Sequence, residues 1–313
     1  MMQPVIPPVD RLLIEQELNA DTFIRHTNNG DNLLYIVNIH NAPNTLREIG
    51  RLREVTFRAA GGGTGLDCDL DELDTCENCY EQLIVWNPAD REIVGGYRLI
   101  RCEKARNAQG KYHLATMELF SFSEKFENEY LPVTIELGRS FVQPAYQPSA
   151  SNRKGLFSLD NLWDGLGALV VDNPDIKYFF GKVTTYRHFN VTARDFILQF
   201  MDHYFPDPDN LVWPHHPVER KTPVEELDAE LAGQNYKDGH RILNQHIRNL
   251  GENIPPLVNA YMNLSGTMRN FGTAINDEFG DVDETGILVK IADIYDSKKE
   301  RHVSSYLAEK QKN

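Results

Sequence analysis

Glu136 and Arg139 stand in LPVTIELGRSFV, a stretch in which Val133, Ile135, Leu137 and Phe141 otherwise keep the two-residue spacing of a covered strand. Burial disfavours a charged carboxylate, so a glutamate in such a strand keeps its proton more readily and is a candidate base near neutral pH. The other reading of the same two residues is a buried ion pair that only orients the strand. Beyond Pro144 and Pro148, SASNRKG gathers Ser151, Asn152, Arg153 and Lys154, and then Leu156, Leu159, Trp163, Leu166 and Val170 recur at helical spacing. A helix start turns unsatisfied N–H groups and a positive dipole toward what precedes it, so this loop is expected to hold a phosphate. Two solvated loop cations are the alternative.

Other candidate groups are less specific. Asp69, Asp71 and Asp74 lie in DLDELD, but a calcium loop is excluded because Glu72 stands where its glycine belongs and Asn78 where its bidentate glutamate belongs. Read alone, the run is an acidic surface loop. Cys76 and Cys79 form a CxxC pair, yet neither Cys68 nor Cys102 completes a second pair, so free thiols and no metal are expected. GGGTG at Gly61 to Gly65 lacks the lysine and hydroxyl of a phosphate loop and reads as a flexible lid. Arg47, Arg51 and Arg58 share one helix face. That face is either a solvated surface, with a Glu54–Arg58 pair worth a few tenths of a kcal/mol, or a dock for an acidic partner.

These groups need elements to hold them. The central strand, the helix after it and an apolar strand over Ile176 to Thr184 predict neighbouring parallel strands joined by a crossover. Upstream, the pattern predicts a short helix over 10–20, a strand over Leu33 to Ile39, and a helix over Asn44 to Arg58 capped by Asn44 or Thr45. That helix would bury Leu46, Ile49, Leu52 and Thr56. Gln82 to Trp86 and Glu92 to Arg101 flank the turn NPAD as a hairpin, and Gly95 and Gly96 leave room for something close. Met117 to Phe122 reads as another strand. Downstream come a helix over Asn190 to Tyr204 and a helical insertion including Gly239 to Leu250. A helix from Pro255 is expected to carry Leu257, Tyr261, Leu264, Met268 and Phe271, and Gly286 to Ile294 a closing strand. The tail KKERHVSSYLAEKQKN is expected to be frayed or a surface helix. The resulting division is 1–40 for an N-terminal extension and first strand, 41–205 for the core, 206–254 for the insertion and 255–313 for the closing elements and tail.

Composition narrows the function classes. The 313 residues are 41% hydrophobic and 25% charged, ordinary for a globular chain. No run approaches the roughly 20 apolar residues of a membrane helix, and MMQPVIPPVDRLLIEQEL lacks the basic flank of a secretory signal, so a cytoplasmic protein is expected. A net charge of −14 argues against a general nucleic-acid binder.

RLREVTFR at 51–58, DLDELD at 69–74, GGYRLI at 95–100 and ELGRSFV at 136–142, followed by PPLVNAYMNLSG and FGDVD, occur in an order that resembles the hemolysin-like GNAT acyltransferases. These include the ornithine and glycine lipid N-acyltransferases, and the acyl-homoserine lactone synthases are similar at a greater distance. The resemblance covers roughly 45–204 and 255–294. It implies an α/β fold, a GNAT-like mixed central sheet flanked by helices, with a helical insertion before the last helix and strand. It also implies catalytic roles for Glu136 and Arg139, with Tyr261 as a proton donor to the leaving thiolate, although its place on the apolar stripe favours core packing. Arg53, Phe57, Asp69, Asp71, Asp74 and Arg98 would bind substrate, and Ser151, Asn152, Arg153 and Lys154 the phosphate of the acyl donor. Two departures stand out. SASNRKG replaces the Gln/Arg-x-x-Gly-x-Gly/Ala loop of GNAT enzymes, and Gln82 stands where many relatives carry histidine. The implied activity is transfer of a 3-hydroxy fatty acyl group from acyl carrier protein to a small amino acid such as glycine or ornithine, for aminolipid synthesis. No tightly bound cofactor is expected, acyl-ACP or acyl-CoA being a co-substrate, and peripheral membrane contact would follow from the product. The alternatives are an acetyl-CoA-dependent N-acetyltransferase and a non-catalytic GNAT-shaped binding module.

Overall fold

A computed structural model describes residues 2–107, 109–147, 155–223 and 225–311. In chain order the strands are β1 (Phe23–His26), β2 (Leu33–Val37), β3 (Glu81–Asn87), β4 (Glu92–Arg101), β5 (Phe120–Phe122), β6 (Thr134–Val142), β7 (Tyr178–Thr185), β8 (Val212–Pro214), β9 (Arg269–Asn276) and β10 (Val282–Lys290). The helices are α1 (Arg11–Glu17), α2 (Pro43–Ala59), α3 (Glu72–Thr75), α4 (Ser158–Asp172), α5 (Val191–Tyr204), α6 (Glu225–Leu231), α7 (Tyr236–Asn249), α8 (Pro256–Met262), α9 (Asp296–Lys299) and α10 (Ser305–Lys310). The chain forms two compact units, Met1–Ala115 with Val133–Lys177 and Tyr295–Asn313, and Thr116–Pro132 with Tyr178–Ile294.

In the first unit β1, β2, β3, β4 and β6 pair antiparallel in that order. One face of this sheet packs on α4, where Gly165 sits against Leu83, and the other faces α2, whose Arg53 reaches Gln82 of β3. Leu34, Val37, Leu83, Leu99, Ile135, Leu162 and Leu166 are buried between the layers. Each such side chain contributes about 1.5–3 kcal/mol relative to exposure.

Helix α2 buries Leu46, Ile49, Leu52 and Thr56, as its periodicity predicts. Its start differs from expectation: Ala42 is the N-cap and makes no side-chain bond. Glu17, at the end of α1, caps it instead, accepting from the Asn44 and Thr45 N–H groups at 3.0 and 2.7 Å and from both of their side chains. A carboxylate there satisfies orphan donors and meets the positive end of the helix dipole.

The GGGTG loop is not a loose lid. Glu54 is fully buried and accepts from Thr64 N–H at 3.1 Å, Thr64 Oγ1 at 2.7 Å and Gly65 N–H at 2.8 Å, while pairing with Arg58 at 2.6 Å. The Glu54–Arg58 contact is thus a clasp around a turn rather than a surface pair. Arg58 also donates to the Gln3 and Leu66 carbonyls, and Arg51 is held by Glu48. Two of the three arginines proposed as an acidic-partner dock are therefore spent within the chain.

Gly95 and Gly96 make room for β6 itself: a Cβ on Gly95 would lie 2.3 Å from the Phe141 carbonyl oxygen. Here β6 bends. Gly96 pairs with Phe141 and Arg98 with Gly138, so Arg139 and Ser140 together oppose Tyr97, and Arg139 takes φ +46°. This is a β-bulge with a non-glycine residue in the left-handed region, a strained arrangement. The inserted residue switches the alternation, placing Phe141 on the face of Glu136 rather than that of Ile135 and Leu137.

The tail is anchored rather than frayed. Arg301 pairs with Asp160 at 2.5 Å, His302 with Asp164 at 2.7 Å, and Lys310 and Tyr306 with Asp172, so the acidic residues of α4 receive the last segment. Gly167 allows the contact, since a Cβ there would lie 2.4 Å from the His302 carbonyl oxygen.

In the second unit β7, β10 and β9 pair antiparallel and β5 pairs with β8. The expected strand over Met117 to Phe122 is present only in its second half, β5, the first residues belonging to a 3₁₀ turn at Ala115–Glu118. The helix from Pro255 ends at Met262, and Phe271 belongs to β9, which sequence patterning missed because apolar spacing continued across the turn at Ser265. The closing strand begins at Val282, four residues earlier than expected, and gives way to a 3₁₀ turn at Ile291–Asp293. Among the described residues no helix is long and apolar enough to cross a membrane.

Candidate active site

The sheet face under α2 carries charges in a fixed lattice. Gln82 on β3 lies opposite Arg98 on β4, and Arg98 opposite Gly138 on β6, one step along from Ile100 opposite Glu136. Pairing across antiparallel strands points Gln82, Arg98 and Glu136 to one side. Arg53, from the middle of α2, comes down onto the same side.

Asp74 is the hub. It sits at the third position of α3 in a reciprocal capping box: the N-cap Asp71 side chain accepts from the Asp74 N–H, and the Asp74 carboxylate accepts from the Asp71 N–H. Its Oδ2 meets Arg53 at 3.1 Å and Arg98 at 3.3 Å, and its Oδ1 accepts from Gln82 Nε2 at 2.9 Å. Arg53 also donates to Gln82 Oε1 at 2.5 Å and to the Asp69 carbonyl at 3.2 Å, and Arg98 donates to Asp71 at 2.6 Å. Burial alone would raise the Asp74 carboxyl, but the Arg53 and Arg98 guanidiniums hold it well below the usual carboxylate range. For Arg98 burial works against the charge, and Asp74 and Asp71 overcome it, lifting its pKa further above the ordinary value. DLDELD is therefore no surface loop: Asp69 and Asp74 are buried because guanidiniums compensate them.

Glu136 is 1% exposed, and its Oε2 accepts a hydrogen bond from the Tyr80 hydroxyl. Tyr80 is equally buried, accepts from the Ala115 N–H at 3.0 Å, and has the Arg98 guanidinium 4.9 Å over its ring. Burial and then the negative charge of Glu136 raise the Tyr80 phenol well above its usual range. The same two causes raise the Cys102 thiol. Arg139 is placed by the bulge against Asp69, with Nε 3.1 Å from Oδ2. Two residues along β6 from Glu136, a Cβ added at Gly138 would meet nothing within 4 Å, so among the described residues this side of the strand is open.

Of the site residues predicted from sequence, the fold brings Arg53, Asp69, Asp71, Asp74, Arg98, Glu136 and Arg139 into this constellation. Phe57 is buried one helical turn beyond Arg53 on α2. Tyr261 belongs to the second unit and is buried on α8 with Val258 and Met262. Ser151, Asn152, Arg153 and Lys154 lie outside the described residues. The four cysteines are free, and among the described residues no group of His, Cys, Asp or Glu is placed to hold a metal ion. Sequence reasoning missed Tyr80 and the bridging role of Gln82. Their one local signal is that they stand two apart at the entry to β3 and so share a face.

Residues 52–154, which contain every member of this constellation, match the family described as Acetyltransferase (GNAT) domain. Fold and site thus define a GNAT-type acyltransferase. The chain is 53% identical over 307 residues to the glycine N(alpha)-acyltransferase of Bacteroides thetaiotaomicron, covering 98% of this chain and 91% of that protein. It is 50% identical to the glycine N(alpha)-acyltransferase of Phocaeicola vulgatus over 98% of this chain and 94% of that protein. An L-ornithine N(alpha)-acyltransferase of Brucella abortus is 28% identical over 77% of this chain and 75% of that protein. The chain belongs to the glycine N(alpha)-acyltransferase family.

Proposed function

We propose that this enzyme transfers a 3-hydroxy fatty acyl group from acyl carrier protein to the α-amino group of glycine, a step in aminolipid synthesis. The observation that carries the reading is a buried carboxylate, Glu136, on a bulged strand beside the open side at Gly138, in a chain half identical to glycine acyltransferases. Glu136 takes a proton from the substrate ammonium, freeing the nitrogen lone pair. The nitrogen attacks the thioester carbonyl carbon; the C–N bond forms and the C–S bond breaks. The second N–H proton leaves with the sulfur as a thiol, and the first passes from Glu136 to solvent.

Arg139, Asp69 and Asp71 form the polar rim on the acceptor side in this proposal. Arg53, Asp74 and Arg98 are the wall behind it, their charges spent on one another, with Phe57 buried beside Arg53 on α2. Glycine is favoured over ornithine because the glycine enzymes are the far nearer relatives. Membrane contact, if it accompanies the product, is peripheral, since no described helix spans a bilayer.

The test is direct. Purified protein is incubated with 3-hydroxyacyl carrier protein or the matching acyl-CoA and with glycine, ornithine or serine, and amides are detected by mass spectrometry. N-acylglycine formed faster from the carrier-protein thioester is expected. Turnover with ornithine alone would overturn the acceptor, preference for acyl-CoA the donor, and no amide with any pair the whole reading.

A further inference from the structure

Tyr80 belongs to neither the strand pattern nor the charge lattice, yet its hydroxyl donates to Glu136. We infer that Tyr80 is the positioning residue of the reaction, fixing the Glu136 carboxylate so that its remaining lone pairs are presented in one orientation. This rests on the assignment of Glu136 as the base.

Three contacts leave the phenol one arrangement. The Ala115 N–H, donating at 3.0 Å, occupies one lone pair of the phenol oxygen. The Arg98 guanidinium lies over the ring at 4.9 Å, and Asp71 and Asp74 in turn hold Arg98. The hydroxyl hydrogen is thereby directed to Glu136 Oε2. A glutamate has three side-chain torsions, and an O–H donor bonded to one carboxylate oxygen is among the stronger restraints a protein can place on it. The lattice of Arg53, Asp74 and Arg98 acquires a purpose through this contact, since it is what holds the ring that holds the base. Asp71 and Tyr80 flank Cys76 and Cys79 in sequence, so the segment from α3 into β3 delivers both the clamp and the clamped ring.

Hydrogen bonding to the charged form of a carboxylate favours that form. Two variants read this in opposite directions. Tyr80→Phe removes the O–H, and meta-fluorotyrosine at position 80 keeps shape and both hydrogen bonds while making the O–H a stronger donor. For Tyr80→Phe, kcat is expected to fall on the order of 10²-fold, as for other misplacements of a catalytic group, with the KM for glycine changed by less than about 3-fold. The acidic limb of the pH–kcat profile should move to higher pH. In the fluorinated enzyme that limb should move to lower pH, and because nothing is removed from the core this measurement decides the matter even if the phenylalanine variant does not fold. Wild-type turnover with acidic limbs unmoved in the variants that fold would overturn the role of Tyr80 alone. A wild-type enzyme that forms no amide would overturn the parent reading and this inference with it.

Discussion

Asp74 and Asp172 are both carboxylates shared among two or more partners, and they differ mainly in where they sit. Asp74 is fully buried between Arg53 and Arg98, with Gln82 filling its other oxygen. Asp172, near the end of α4, meets Lys310 and Tyr306 of the tail with 28% of its side chain and 51% of that lysine exposed. Water competes for every bond in the second set and for almost none in the first. Exposed pairs contribute about 0–1 kcal/mol, whereas breaking a buried one costs about 3–5 kcal/mol because a charge is left without compensation. The lattice under α2 therefore acts as a rigid frame, and the tail clasp as many small restraints on one helix.

Changing the group that the frame presents should have the largest effect. Glu136→Gln keeps shape and can still accept from Tyr80, but it cannot take a proton, so kcat should fall about 10²–10⁴-fold with the melting temperature little changed. Unaltered turnover would remove Glu136 from the chemistry and leave the frame as architecture. Next, Asp74→Asn should cost about 3–5 kcal/mol in urea unfolding at neutral pH.

That loss should also depend on pH in a defined sense. The folded pKa of Asp74 is depressed, so its stabilisation is complete above the unfolded value of about 4 and fades as pH falls toward the folded value. The gap between wild type and Asp74→Asn should hold constant from pH 5 to 8 and narrow below pH 4, and a gap that widened in acid would contradict the ion-pair account. The smallest effect belongs to the clasp: Arg301→Ala, which removes a pair with half-exposed Arg301, should cost under about 1 kcal/mol. Equal losses for Asp74→Asn and Arg301→Ala would dissolve the contrast between the two regions.

Much of this was legible in the sequence. The face of α2, the hairpin of β3 and β4, and the anomaly of Glu136 and Arg139 in an apolar strand follow from periodicity, which is a local property. Resemblance to the acyltransferases rested on Arg53, Arg98 and the DLDELD run, and those residues do meet in one lattice. Less was legible where apolar spacing crossed a turn, as from α8 into β9, because a helical stripe and a helix followed by a strand read alike when the break is short. The tail read as frayed or a surface helix; it does form α10, but only its fit to the acidic residues of α4 shows that it is anchored.

By itself, the order of amino acids determined the buried face of α2, the hairpin of β3 and β4 and which charges stood in unusual places. Tertiary structure alone decided the partners: Tyr80 for Glu136 across 56 residues, Asp69 for Arg139, Glu17 for the start of α2. One inserted residue in β6 was enough to move Phe141 to the other face of the sheet. The reason is that burial follows from each residue's own chemistry and that of its neighbours in sequence, whereas partnership depends on register between distant segments, which a single bulge can reset.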